Sequence, residues 1–180
     1  MKARLLLPLV LIALVGCSSV PLPKKEAKGN ETFAFYNPDV AKLPEFAGKS
    51  VEAMKTIQDE LRAQLTAAGL TEVKDITEKP DLIVAYLLVL QNNTVTTAVR
   101  DYYVSSGVEI IEAAHEYSQD HKPHRKFQSG TVVVDVIDVK TEKLIYRDYA
   151  TREVKKGLTS EQRQKLVRKA TDEAIQQFLD

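Results

Sequence analysis

The sequence predicts an α+β fold, a two-layer sandwich. In it a mostly antiparallel sheet of four to five strands carries two amphipathic helices on one face, in the order β-α-β-β-β-β-α. Three observations predict it. Leu82–Leu90 (LIVAYLLVL) is a nearly unbroken apolar run, too short to cross a bilayer and suited to a central strand buried on both sides. Thr131–Val139 and Leu144–Val154 form two β-rich stretches on either side of a turn at Lys140–Lys143. Two further stretches, one near each end of the domain, repeat apolar residues every three or four positions.

The first strand is Thr32–Tyr36 (TFAFY), stopped by Asn37-Pro38. A helix follows over about Ser50–Ala68, with Val51, Met54, Ile57, Leu61, Leu65 and Ala68 on one face and Gly69 placed to end it in a left-handed conformation. Pro80-Asp81 opens the central strand. Asn92-Asn93 reads as a turn, and the β-branched and aromatic stretch Thr94–Val104 (TVTTAVRDYYV) as another strand. Ser105–Ser129 has no single period: Val108–Ala114 fits strand or helix, and the stretch as a whole reads as an irregular insertion or a frayed strand extension. Within the hairpin, Val132, Val134 and Val136 share one face and Val133, Asp135 and Ile137 the other. Asp138 is placed to close the turn, and Asp135 is either exposed or hydrogen-bonded to a neighbour. Thr159 with Gln162 resembles a capping box, opening a last helix that aligns Leu166, Val167, Ala170, Ala174 and Phe178.

The N-terminal residues carry an address. Lys2 and Arg4 precede Leu5–Val15, an apolar run within the 7–15 residues of a signal-peptide core and short of the ~20 a membrane helix needs. It ends in Leu14-Val15-Gly16-Cys17, which resembles the bacterial lipobox. That resemblance implies cleavage before Cys17, a diacylglyceryl group on its thiol and an acyl chain on the new amine. Three chains would anchor the protein firmly, because each buried methylene adds about 0.8 kcal/mol. Cys17 is the only cysteine, so intramolecular disulfides are excluded. Ser18 after it, by resemblance to sorting rules of bacteria with two membranes, implies an outer-membrane address facing the periplasm. The expected division is therefore residues 1–16 as leader, 17–30 as lipidated cysteine and Pro/Lys/Gly-rich tether, and 31–180 as one domain. With 25 basic and 25 acidic residues, the chain shows none of the basic excess of a nucleic-acid binder.

Taken in order, several pieces resemble the DUF4136 family of bacterial envelope lipoproteins. They are the aromatic opening strand at Phe33-Ala34-Phe35, the helix ending Leu65–Leu70, Pro80–Tyr86, Gly130–Asp138, Lys143–Ala150 and the final helix. The family often has Trp and Gly where Tyr146 and Asp148 stand, and a Gly/Tyr-rich stretch in place of Ser105–Ser129. It carries no established activity, so the resemblance implies fold and location rather than a reaction.

Candidate chemistry is sparse. His115, His121 and His124, beside Glu112, Glu116 and Asp120, are donor types that suit Zn²⁺, Cu²⁺ or Ni²⁺. Their spacing matches no specific metal signature, and the stretch reads as a solvated polar loop. No nucleophile motif or phosphate loop occurs, and Asp135 and Asp138 fall on opposite faces of a strand. Lys155-Lys156 and Arg163, Lys165, Arg168 and Lys169 read as a solvated basic face. Tyr102, Tyr103 and Tyr117, with Tyr146 and Tyr149, are the candidate contact residues, since exposed tyrosine is enriched at interfaces. The expectation is a non-catalytic, lipid-anchored envelope protein without cofactor beyond its covalent lipid. It would bind a protein or envelope polymer through its sheet surface or Ser105–Ser129. The alternatives are a small-ligand or metal module built on His115–His124, or a hydrolase with an unrecognised site.

Overall fold

A computed structural model describes residues 29–118 and 125–180. Cys17, Ser18, the leader and most of the tether lie outside the described residues, as do Asp120, His121 and His124.

Five strands form one mixed sheet in the order β2-β1-β3-β6-β7: β1 (Thr32–Phe35), β2 (Thr71–Glu72), β3 (Leu82–Val89), β6 (Thr131–Asp138) and β7 (Lys143–Thr151). The short pairings β1·β2 and β1·β3 are parallel, and the two long ones, β3·β6 and β6·β7, are antiparallel. A two-stranded ribbon, β4 (Thr94–Val95) with β5 (Lys126–Phe127), sits apart. The α+β class and mostly antiparallel sheet are as the sequence predicts, and so is the packing of the two long helices, α1 (Val51–Ala67) and α4 (Ser160–Leu179), over one face.

That face follows directly from the two periodicities. Met54, Ile57, Leu61 and Leu65 of α1 meet Ala170, Ala174, Ile175 and Phe178 of α4 over Phe33, Val84, Val134 and Val136. The predicted ends hold in detail. The Gly69 N–H donates to Thr66 O and the Leu70 N–H to Leu65 O, with Gly69 at φ 95°. Thr159 and Gln162 form the reciprocal capping box.

The middle of the chain departs from expectation. Thr94–Val104 is not a strand beyond its first two residues: Thr96–Val104 is helix α2, and Glu109–Tyr117 is helix α3. Both cover the opposite face of the sheet, so the sandwich has helices on both sides rather than two helices on one. Val99 and Tyr103 on α2, and Ile111, Ala114 and His115 on α3, share faces at helical spacing and are buried against Ile83, Ala85, Leu87, Val133 and Ile137 or among their neighbours. Burial of these side chains outweighs the β-propensity of the β-branched residues in Thr94–Val104, which spans at most about 1 kcal/mol per site.

Two anchor points hold the ends of the sheet. At the start, the Asp81 carboxylate accepts from the backbone N–H groups of Glu31 and Thr32 (both 2.9 Å) and the Thr32 hydroxyl (2.8 Å), clamping β1 to β3. These bonds hold the Asp81 carboxyl below its usual range. At the other end, Gly130 joins three strands: its N–H donates to Val89 O and its carbonyl accepts from Arg152 N–H. Gly130 has φ 86°, and a Cβ there would lie 2.1 Å from the Arg152 carbonyl oxygen. The variant Gly130→Ala should therefore lose at least about 2 kcal/mol, from left-handed strain plus displacement of β7. A lowered urea midpoint with unchanged m-value checks this.

Candidate functional site

The pleat of β6 sends Asp135 to the α2/α3 side, between Val133 and Ile137, where an acid is fully buried. Directly opposite on β7 stands Arg147. Its Nε donates to Asp135 Oδ1 at 2.6 Å and its Nη2 to Oδ2 at 2.8 Å, a two-pronged ion pair in which the arginine side chain is 9% exposed. Nη2 also lies 2.8 Å from Nδ1 of His115, which descends from α3 with no exposed surface. Arginine only donates, so Nδ1 is the acceptor and the imidazole hydrogen sits on Nε2. Nε2 is 3.7 Å from Asp135 Oδ2. The ring of Tyr103, from α2, stacks on the His115 ring with centroids 4.3 Å apart. Four elements thus converge on one buried polar cluster.

Burial dominates its electrostatics. It pushes the His115 pKa down to about 4, against the partial support of Asp135, so the ring is neutral at pH 7. Burial likewise drives the Tyr103 phenol well up, assisted by Asp135. For Arg147 burial opposes the charge, but the attraction and hydrogen bonds of Asp135 outweigh it and the guanidinium lies above its ordinary value. Tyr103 Oη and His115 Nε2 have no hydrogen-bond partner among the described residues.

Arg147 links this cluster to the surface. Beyond β7 runs a cleft of about 520 Å³, with Arg147 in its floor, Tyr146 and Gln177 on one side and Arg125, Phe127 and Tyr149 on the other. Arg125 Nη1 donates to the Tyr149 hydroxyl at 3.0 Å, and the Tyr149 ring meets Phe127 edge-on. The cleft follows the open edge of the sheet. Since Arg152 N–H points inward to Gly130 O, alternation along an antiparallel pair turns the backbone groups of Thr151, Tyr149 and Arg147 outward. Side chains cap two of these: Asp148 Oδ1 accepts from Tyr149 N–H, and Arg152 Nη1 donates to Thr151 O.

The structure redistributes the residues singled out from sequence. His115 is not part of a solvated loop: it is core, because its place four residues after Ile111 and next to Ala114 turns it with both onto the buried face of α3. Its Nδ1 is taken by Arg147, and among the described residues no three His, Cys, Asp or Glu side chains group closely enough to hold a metal. Tyr103 is likewise no surface residue but fully buried; Tyr102 is partly buried, and Tyr117 is 60% exposed with Lys143 Nζ over its ring. Tyr146 is tied down, donating to Ala174 O at 2.7 Å. Asp138 closes the hairpin as expected, accepting from Thr141 N–H at 2.8 Å. The residues Arg163, Lys165, Arg168 and Lys169 are solvent-exposed. The sheet offers no open central face, since α1 and α4 cover one side and α2 and α3 the other. Arg125 and Arg147 were not singled out by sequence; an acid amid alternating valines on β6 was the signal that a buried cation had to face it.

Comparison with known proteins agrees with the fold. The model of the family described as "Domain of unknown function (DUF4136)" matches residues 23–178. A crystal structure of a DUF4136 family protein from Bacteroides thetaiotaomicron superposes with a TM-score of 0.50 at 11% identity, covering 86% of this chain and 91% of that one. No protein with a curated description matches.

The depressed His115 pKa has a stability consequence. Below its ordinary value of 6.5 the unfolded chain binds a proton that the folded chain refuses until about pH 4. Stability from this group is present above pH 6.5 and lost as pH falls towards 4, to the extent of about 3 kcal/mol. His115→Phe should flatten that part of the acid dependence, as measured by urea unfolding between pH 7 and pH 4.

Proposed function

Because the chain belongs to the DUF4136 family, whose function is not established, we propose from its own residues that it is a lipid-anchored, non-catalytic module of a bacterial cell envelope. It holds a partner protein by adding an extended segment of that partner to the open edge of β7. The observation that carries this reading is the edge itself. β7 is nine residues long, its outward backbone groups border a cleft, and both faces of the sheet are covered, so an exposed ladder is what the sheet has to offer a partner. Backbone pairing would supply affinity, and Tyr146, Tyr149 and Arg125 along the walls would read alternate side chains. The polar cluster behind the cleft supports a binding role over a catalytic one. His115 is buried, its lone pair is engaged by Arg147 and its ring is neutral at pH 7, so it presents no base to a substrate.

Support for the anchor comes from the N-terminal residues. Leu14–Cys17 has the lipobox pattern, Cys17 is the single cysteine, and Ser18 suits the outer membrane. Among the described residues no helix is long and apolar enough to cross a membrane. In this reading residues 17–30 are the lipidated cysteine and tether; the family match covers residues 23–178.

Two measurements test the proposal. Cells fed labelled fatty acid should label the wild-type protein and not Cys17→Ser, and the variant should move from the membrane to the soluble fraction; equal labelling of both refutes the anchor. For the edge, a photo-crosslinking residue at Gln177, in the cleft wall, should trap a partner that one at exposed Lys165 does not. In the trapped complex the amides of Arg147 and Thr151 should exchange with solvent at least about tenfold more slowly than in the free protein. Trapping from both positions alike, or unchanged exchange, refutes strand addition.

A further inference from the structure

The two layers of helix differ in what they bury. Neither α1 nor α4 buries an ionisable side chain. The opposite layer closes over an ion pair and a histidine, and α3 brings just three buried residues to it: Ile111, Ala114 and His115. One of the three side chains that hold α3 down can therefore take up a proton. A helix of nine residues is not stable alone in water, so α3 persists only while its buried side chains prefer the core. It has no side-chain cap at its N-terminus. Gly107, at φ 74° with open space around it, joins it to α2.

In place, the His115 ring resists a second proton. Nδ1 already accepts from Arg147 Nη2 at 2.8 Å, and an imidazolium has no lone pair with which to accept. Its other N–H would face Asp135 Oδ2 at 3.7 Å, beyond hydrogen-bond reach, and both Asp135 oxygens are taken by Arg147. Tyr103 of α2 stacks on the ring but is kept a neutral phenol by burial. On α3 itself, Glu112 turns back to accept from Gly107 N–H, and Glu116 is exposed. Two cations would thus share one carboxylate away from water. Burial accordingly lowers the His115 pKa to about 4. Opening the smallest unit that holds the ring solvates the proton at less cost than unfolding the whole domain. We propose that α3 is an acid-released latch: a proton on His115 drives α3 off the sheet about the Gly107 joint, opening the Tyr103 side of the core to solvent while the α1/α4 layer stays folded.

Native-state hydrogen exchange of the purified full chain, read by NMR and corrected for the intrinsic effect of pH, tests this. The amides of Ala113–Glu116 should be less protected than those of Ile57–Leu65 and Ala170–Ile175 at both pH 7 and pH 5. Their opening equilibrium should rise about twentyfold from pH 7 to pH 5, the factor given by titration near 6.5 when open and near 4 when closed. Urea below the unfolding transition should leave α3 exchange nearly unchanged and speed that of α1 and α4, because a local opening exposes little surface. His115→Gln, whose amide oxygen can accept from Arg147, should hold the rise below about threefold. Equal protection and equal urea slopes in all three helices would mean that acid acts only through global unfolding, which overturns the latch. So would a twentyfold rise that survives His115→Gln, or the absence of a rise in the wild type. If His115→Gln does not fold, the protection levels, urea slopes and pH response of the wild-type chain decide it alone.

Discussion

The two central strands have no side that tolerates water, and much of the molecule follows from that. All eight residues of β3 are buried, and along β6 only Asp138 is not. Each Val, Leu or Ile so covered contributes about 1.5–3 kcal/mol relative to exposure, so both faces require a layer of helix. The α1/α4 pair closes one and α2/α3 the other, with a separate apolar cluster on each side. What remains in contact with solvent is the periphery: the nine-residue edge β7, the two-residue edge β2 and the two ends of the sheet. The β7 edge, to which we assign binding, lies there.

The second core differs from the first in holding an ion pair. Burying Asp135 and Arg147 costs several kcal/mol per ion, recovered only because the pairing is two-pronged and His115 accepts a further bond. Such a pair adds little net stability over an apolar equivalent. It does discriminate between registers, because a slip of β7 by one residue would set Asp135 opposite Asp148 instead of Arg147. The irregularity between Val136 and Ile137 in the β6–β7 ladder is where this register is set. Arg147 thereby has two neighbours: the buried carboxylate behind it and the cleft in front.

Legibility in the sequence tracked how local the deciding physics was. The ends of α1 and α4 were readable because the Gly69 termination and the Thr159–Gln162 box are contacts within a few residues. The β3 run and the in–out alternation of β6 were readable because each position's face depends on its own neighbours along the strand. Thr94–Tyr117 was not readable as helix, since its β-branched residues carry one signal and the uncovered far face of the sheet another. Yet a strand apolar on both sides already implied a layer on both sides, and the only segment left to provide it was this one. The candidate site was the least legible. The placement of His115 and Tyr103 inside, rather than on the surface, depends on α2 and α3 docking face to face over β6, and the Asp135–Arg147 pairing depends on a one-residue choice of hairpin register.

By itself the sequence determined the α+β class, the central strand, the hairpin with its Asp138 turn and the two long helices, because short-range periodicity and capping decide these. Its residues Leu14–Cys17 also resemble a lipobox, a pattern of contiguous residues. Only the tertiary structure decided that Thr96–Val104 coils, that the lone described histidine is core, and that β7 is left as an edge of the sheet. Those outcomes depend on which surfaces meet, and burial between segments distant in sequence leaves no periodic trace in either segment alone.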